Sequence, residues 1–89
     1  MTVVYAQKLC QQCRMVERLL TNLGVTYEVR DVQEDPQALE DVMEYWRTLR
    51  PGEQPSTPVT VIDGDPVGVF FGNVPHRIKA HLAQEEKAS

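Results

Sequence analysis

The chain has 89 residues, 42% hydrophobic and 25% charged, with nine basic and thirteen acidic side chains and a formal net charge of -4. One domain over residues 1–89 is expected at this length, the negative balance opposes binding to nucleic-acid phosphates or anionic lipid, and no apolar run is long enough to cross a bilayer. Two cysteines in one tight spacing cannot build the multi-bridge framework of small secreted domains, and the opening residues lack a secretory-signal pattern, so a cytoplasmic redox or metal role is expected.

Thr2 to Ala6 is a β-branched and aromatic run that ends at the polar pair Gln7 and Lys8, which predicts a short buried strand. Cys10, Gln11, Gln12 and Cys13 follow at once. Met15, Val16, Leu19, Leu20 and Leu23 then recur at helical spacing, and Gly24 stands where a left-handed cap would close a helix of about three turns. Val25 to Val32 is patterned as a second strand, and Gln33 to Pro36 turns the chain. Asp35 before Pro36 marks a helix start, because the carboxylate accepts from free backbone amides and proline suits the first helical position.

Leu39, Val42, Met43, Trp46 and Leu49 trace the apolar face of this second helix, which ends near Arg50, Pro51 and Gly52. Trp46 is in register with that face and is expected in the core rather than in a site. Pro51 to Thr57 is rich in turn formers and predicts an exposed loop. Val59, Val61 and Ile62, then Asp63 and Gly64, then Val67, Val69, Phe70 and Phe71 predict a hairpin, with the two phenylalanines on opposite faces. After Gly72 and Asn73, the spacing of Val74, Ile78 and Leu82, with Ala80 and Ala83, predicts a third helix with a charged end at 84–87. His76 and His81 are expected on its surface, where five-residue spacing puts them on different sides. The order strand, helix, strand, helix, strand, strand, helix is an α/β pattern whose first two strands are parallel neighbours, with helices on both sheet faces.

Cys10 and Cys13 at the start of a helix fall on one side of its first turn and can close a disulfide with little backbone movement. Cys10 lies beside unpaired helix amides at the positive end of the helix dipole, which favours thiolate over thiol; Lys8 and Arg14 are candidate positive neighbours. Cys10 is therefore the expected nucleophile, its pKa below the ordinary value of about 8.5, and Cys13, one turn in, the resolving thiol. The same spacing is also half of a zinc or iron-sulfur site. Intramolecular zinc would need two further ligands, so no metal site is expected within one chain, and a cluster would have to bridge two chains with help from an external thiol.

Tyr5 to Cys13 resembles the strand-to-motif entry of the glutaredoxin branch of the thioredoxin superfamily, and Ser56-Thr57-Pro58-Val59 is similar to that family's cis-proline segment. The resemblance runs over nearly the whole chain and implies a thioredoxin fold (β-α-β-α-β-β-α), a four-stranded mixed sheet flanked by three helices, in a single glutaredoxin-like domain. It implies a cis Pro58 facing the cysteines and a backbone pairing of Thr57 with an extended substrate. It also implies a substrate groove along Lys8, Gln11, Gln12, Thr57, Pro58, Gly72 and Asn73.

The segment from Gly72 to Ile78, and Gln12 before the second cysteine, are similar to the redoxins that donate electrons to ribonucleotide reductase and are recycled by thioredoxin reductase. Glutathione-using members tend to have a Gly-Gly pair and an acidic or hydroxyl residue where this chain has Phe71-Gly72 and Val74. The resemblance thus implies a monomeric disulfide reductase with no tightly bound cofactor, its electrons drawn from NADPH through thioredoxin reductase. Glutathione or another small thiol as donor, and an iron-sulfur cluster carrier, are the alternatives. The chain departs from the family in two places: Gln7-Lys8-Leu9 stands where Lys-Pro often precedes the first cysteine, and the stretch from Trp46 to Gln54 is longer.

Overall fold

A computed structural model describes residues 1–68, 76–81 and 83. Its regular elements are β1 (Thr2–Ala6), α1 (Gln11–Asn22), β2 (Tyr27–Asp31), α2 (Pro36–Leu49), β3 (Val59–Ile62) and β4 (Asp65–Gly68), followed by a helical segment, α3, at 76–81. The expected continuation of β4 through Val69, Phe70 and Phe71, the segment Gly72 to Pro75, Leu82 and the charged end at 84–87 lie outside the described residues. Among the described residues no helix is long and apolar enough to cross a membrane.

The sheet order is β2-β1-β3-β4, with β1 parallel to β2 and antiparallel to β3, and β3 antiparallel to β4. Successive side chains of a strand point to opposite faces, so the central β1 serves two cores. Val3 and Tyr5 pack with Val59 and Val61 against Ala38, Val42 and Trp46 of α2, whereas Val4 packs with Ile62 and Val67 against Val16 and Leu20 of α1 and Ile78 of α3. Helices therefore cover both faces, as the element order predicted.

Local chemistry sets the boundaries. Helix α1 closes in a Schellman motif: Gly24 sits at φ +74°, its N–H reaches the Thr21 carbonyl at 3.1 Å, and the Val25 N–H reaches Leu20 at 2.9 Å. That cap consumes Val25, so β2 starts at Tyr27 and is shorter than the expected Val25 to Val32. At the start of α2, Asp35 Oδ1 accepts from the Gln37 and Ala38 amides at 3.0 and 3.4 Å, with Pro36 behind it. Asp63 and Gly64 take positive φ values of 50° and 82° in the turn between β3 and β4, as the Asp-Gly pair predicted.

Two expectations need correction. In α2 the buried stripe is Ala38, Val42 and Trp46, while Leu39 and Met43, assigned to the apolar face, are 44% and 41% exposed and Leu49 is also exposed. The indole is the largest group on the helix and fixes its rotation, which brings Ala38 and Val42 at four-residue intervals onto the sheet and turns Leu39 and Met43 to the flank. His81 is half-buried rather than on the surface, with Nδ1 3.6 Å from Asp65 Oδ2 of β4; His76 is exposed.

Candidate active site

The register between β1 and β3 pairs Tyr5 with Val59, so the residues just before Val59 run past the end of β1, where the chain turns toward Cys10. Thr57 is thereby brought against Cys10, although forty-seven positions separate them in sequence. The Thr57–Pro58 peptide is cis, and Pro58 is fully buried.

Cys10 is the N-cap of α1, and its Sγ accepts from the Cys13 N–H at 3.1 Å. The Thr57 hydroxyl donates to the same sulfur at 3.6 Å. Cys10 and Cys13 form a disulfide, S–S 2.07 Å, with their Cα atoms 5.2 Å apart. The two sulfurs differ in access: Cys13 is fully buried, whereas Cys10 is partly exposed at the helix start. No acid occupies the first turn of α1, which leaves the positive end of the helix free to favour a thiolate.

Of the other expected site residues, Gln11 and Gln12 are exposed on the first turn of α1, and Thr57 is half-buried beside Cys10. Lys8 is held on the loop by a 3.1 Å bond from its N–H to Gln33 Oε1, and its ammonium lies 3.7 Å from a Glu34 carboxylate oxygen. Arg14 lies on α1 beside a groove whose other walls are Leu9, Gln11, Met15 and Arg18. Gly72 and Asn73 lie outside the described residues. Among the described residues no cluster of three or more His, Cys, Asp or Glu side chains could hold a metal ion.

One contributor was missed in the sequence. Trp46, expected only as core, donates its indole N–H to the Ser56 carbonyl at 2.8 Å and so pins the loop that carries Thr57 and Pro58. The signal was available in principle: a buried indole needs an acceptor, and the turn-rich stretch after α2 supplies backbone carbonyls.

The glutaredoxin family model matches residues 2–67. Among solved structures, a mutant of the thioredoxin-like protein BC3987 is 33% identical, with a TM-score of 0.67 over 92% of this chain and 99% of that one. The holo form of glutaredoxin C1 from Populus tremula x tremuloides is 26% identical, with a TM-score of 0.69 over 99% of this chain and 79% of that one. Wheat glutaredoxin, at 19% identity and a TM-score of 0.64 over 85% and 75% of the two chains, shares the fold. No curated protein matches at a significant level.

Proposed function

Since this chain belongs to the glutaredoxin family, we propose that its thiol-disulfide chemistry makes it a dithiol electron carrier that reduces protein disulfides through Cys10 and Cys13. The observation that carries the reading is the inequality of the two sulfurs. Cys10 Sγ is reachable and accepts from the Cys13 amide and the Thr57 hydroxyl, while Cys13 is closed to solvent.

In the reduced protein the Cys10 thiolate attacks one sulfur of a substrate disulfide. A mixed disulfide forms, and the other substrate sulfur leaves as a thiolate and takes up a proton. Cys13 then gives up its proton and attacks Cys10 Sγ, which closes the intramolecular disulfide and releases the second substrate thiol. The substrate gains two electrons and the protein loses two. The Thr57 hydroxyl borders Cys10 Sγ, which supports the reading that the Thr57 backbone pairs with an extended peptide as the family resemblance implies.

Recycling by thioredoxin reductase and NADPH, with ribonucleotide reductase as a recipient and the cytoplasm as the setting, is the finer reading; Gln12 and the segment from Gly72 to Ile78 support it through their likeness to such redoxins. The test is insulin or mixed-disulfide reduction coupled to NADPH through thioredoxin reductase in one arm, and through glutathione and its reductase in the other. Turnover in the first arm that exceeds the second is expected; faster turnover with glutathione overturns the choice of donor. Cys10→Ser abolishes activity, whereas Cys13→Ser accumulates a mixed disulfide visible by mass spectrometry. Equal activity of Cys10→Ser and wild type overturns the nucleophile assignment.

A second reading draws on the structural likeness to a plant glutaredoxin described in a holo form. One chain of this protein offers two sulfurs, one of them fully buried, and among the described residues no third ligand stands near enough to complete a metal set. These donors do not fit a cluster held by a single chain. Protein purified without oxygen is expected to be colourless, with two titratable thiols; visible absorbance and bound iron would favour the cluster reading.

A further inference from the structure

We propose that the groove formed by Leu9, Gln11, Arg14, Met15 and Arg18 docks an acidic segment of the protein whose disulfide is reduced, a proposal that rests on the oxidoreductase reading above. The groove encloses about 430 Å³ and begins at the residue preceding Cys10. Arg14 and Met15 stand three and four residues beyond Gln11, and Arg18 stands four and three beyond them, so the four share one side of α1, which leads away from the cysteine.

Charge is the first argument. The chain carries a net charge of -4, yet residues 1–27 hold three basic side chains, Lys8, Arg14 and Arg18, against the single acid Glu17. Up to residue 68 every basic side chain except Arg14 and Arg18 is matched: Lys8 with Glu34, Arg30 with Asp35 and Asp41, Arg47 with Glu44, and Arg50 with Glu53. Among the described residues Arg14 and Arg18 have no carboxylate partner. Two unmatched guanidinium groups on one stripe of an otherwise acidic protein are complementary to carboxylates brought by something else.

Leu9 is the second argument. It is 95% exposed and sits at φ 60°, in the left-handed region that a leucine adopts only at a cost. A single exposed leucine is ordinary, but this one is held strained beside the reacting sulfur with Met15, 41% exposed, on the same groove. The fold gains nothing from burying it, and a partner lying over α1 would.

Length selects a polypeptide over a small thiol. Arg18 stands eight residues beyond Cys10, about 12 Å along the helix at 1.5 Å per residue. An extended chain advances about 3.3 Å per residue, so carboxylates three or four residues from the attacked cysteine reach Arg18.

The test uses two synthetic peptides, each with one cysteine capped as a disulfide with thionitrobenzoate, identical except that one has glutamates and the other glutamines three and four positions either side of the cysteine. The reduced protein releases the absorbing thiolate from both. The acidic peptide is expected to react roughly 3- to 10-fold faster at low salt, the range that one or two exposed ion pairs give. Near 1 M salt the ratio should approach unity, because screening then acts within about 3 Å.

In Arg18→Glu the ratio should fall to one or below, and in Arg18→Gln part of the way. The ratio is read within each variant, so it does not depend on how active that variant is. Equal rates for the two peptides with wild-type protein overturn the docking proposal alone. A ratio unchanged in Arg18→Glu overturns it as well, as does glutathione capped in the same way if it shows the full, Arg18-dependent advantage over a neutral thiol. Failure of the protein to react with either peptide overturns the oxidoreductase reading itself, and the docking proposal with it.

Discussion

At the scale of single residues, the chemistry turns on how one sulfur is solvated. Cys10 Sγ accepts from one backbone amide and one hydroxyl, and both donors favour the ionised form of the thiol once the disulfide is reduced. The amide belongs to the helix and cannot be removed by substitution, but the Thr57 hydroxyl can. Thr57→Val keeps the β-branched shape beside Pro58 and deletes the donor. Its expected effect is a small rise in the Cys10 pKa, since a long bond to sulfur is worth less than the usual ~1 kcal/mol. The pH dependence of iodoacetamide alkylation measures it, and an unchanged midpoint would show that the hydroxyl contributes nothing to the thiolate. Cys10 and Cys13 were legible in the sequence because their spacing is chemistry in itself. The Thr57 hydroxyl was not, because its contact with Cys10 spans forty-seven positions and exists only through the β1–β3 register.

At the scale of elements, α2 is held by polar contacts at both ends. At its C-terminal end the Trp46 indole reaches Ser56. Trp46→Phe keeps an aromatic ring in the core and removes the donor, which should cost about 1 kcal/mol of stability for the lost bond and somewhat more for the smaller ring. It should also raise KM for a protein disulfide more than it lowers kcat, because the loop before Pro58 loses its anchor; a purely structural Trp46 would lower stability without moving KM. At the N-terminal end, Arg30 of β2 donates to Asp35 at 3.1 Å and to Asp41 at 2.9 Å, and the Tyr5 hydroxyl joins the same group. The bond from Arg30 holds the Asp35 carboxyl below its ordinary range, while burial, with Asp41 next, pushes the Tyr5 phenol up to about 12. A depressed carboxyl stabilises the fold above its unfolded pKa of about 4, and that contribution is lost as pH falls through the lower folded value. Asp35→Asn retains the N-cap and removes the charge, so the variant should melt below wild type at neutral pH and together with it near pH 2. A gap that persists at low pH would assign the loss to capping rather than to the ion pair. Helix starts and caps were legible from Asp35, Pro36 and Gly24, whose roles are local. The rotation of α2 was not, since Leu39 and Met43 satisfy the same periodicity as Val42 and only the fit of Trp46 against the sheet decides between them.

At the scale of the whole molecule, the order of elements was enough to anticipate parallel first strands with helices on both sheet faces, because handedness leaves few ways to fold such a chain, and the resemblance to the glutaredoxin branch added the four-stranded mixed sheet. What it could not supply is how the two cores depend on each other. Among the described residues they share no helix, and β1 and β3 form the partition between them: Tyr5, Val59 and Val61 look toward α2, and Val4 and Ile62 toward α1 and α3. The sole tryptophan, Trp46, belongs to the α2 core, and Val4 is fully buried in the other. Val4→Ala removes two methyl groups from a closed site and should cost about 2 kcal/mol, by comparison with other large-to-small core changes. A chain of this size should lose roughly 4–8 °C of Tm for each kcal/mol, so a shift near 10 °C is expected. If the sheet couples the cores into one cooperative unit, Trp46 fluorescence must report that full shift although the substitution lies on the opposite face, and far-UV circular dichroism must give the same midpoint. A Trp46 transition that stays at the wild-type temperature while the dichroism moves would mean that the α2 side melts separately, and that the cysteines on α1 and the Thr57–Pro58 segment pinned by α2 are held together by less than one cooperative fold.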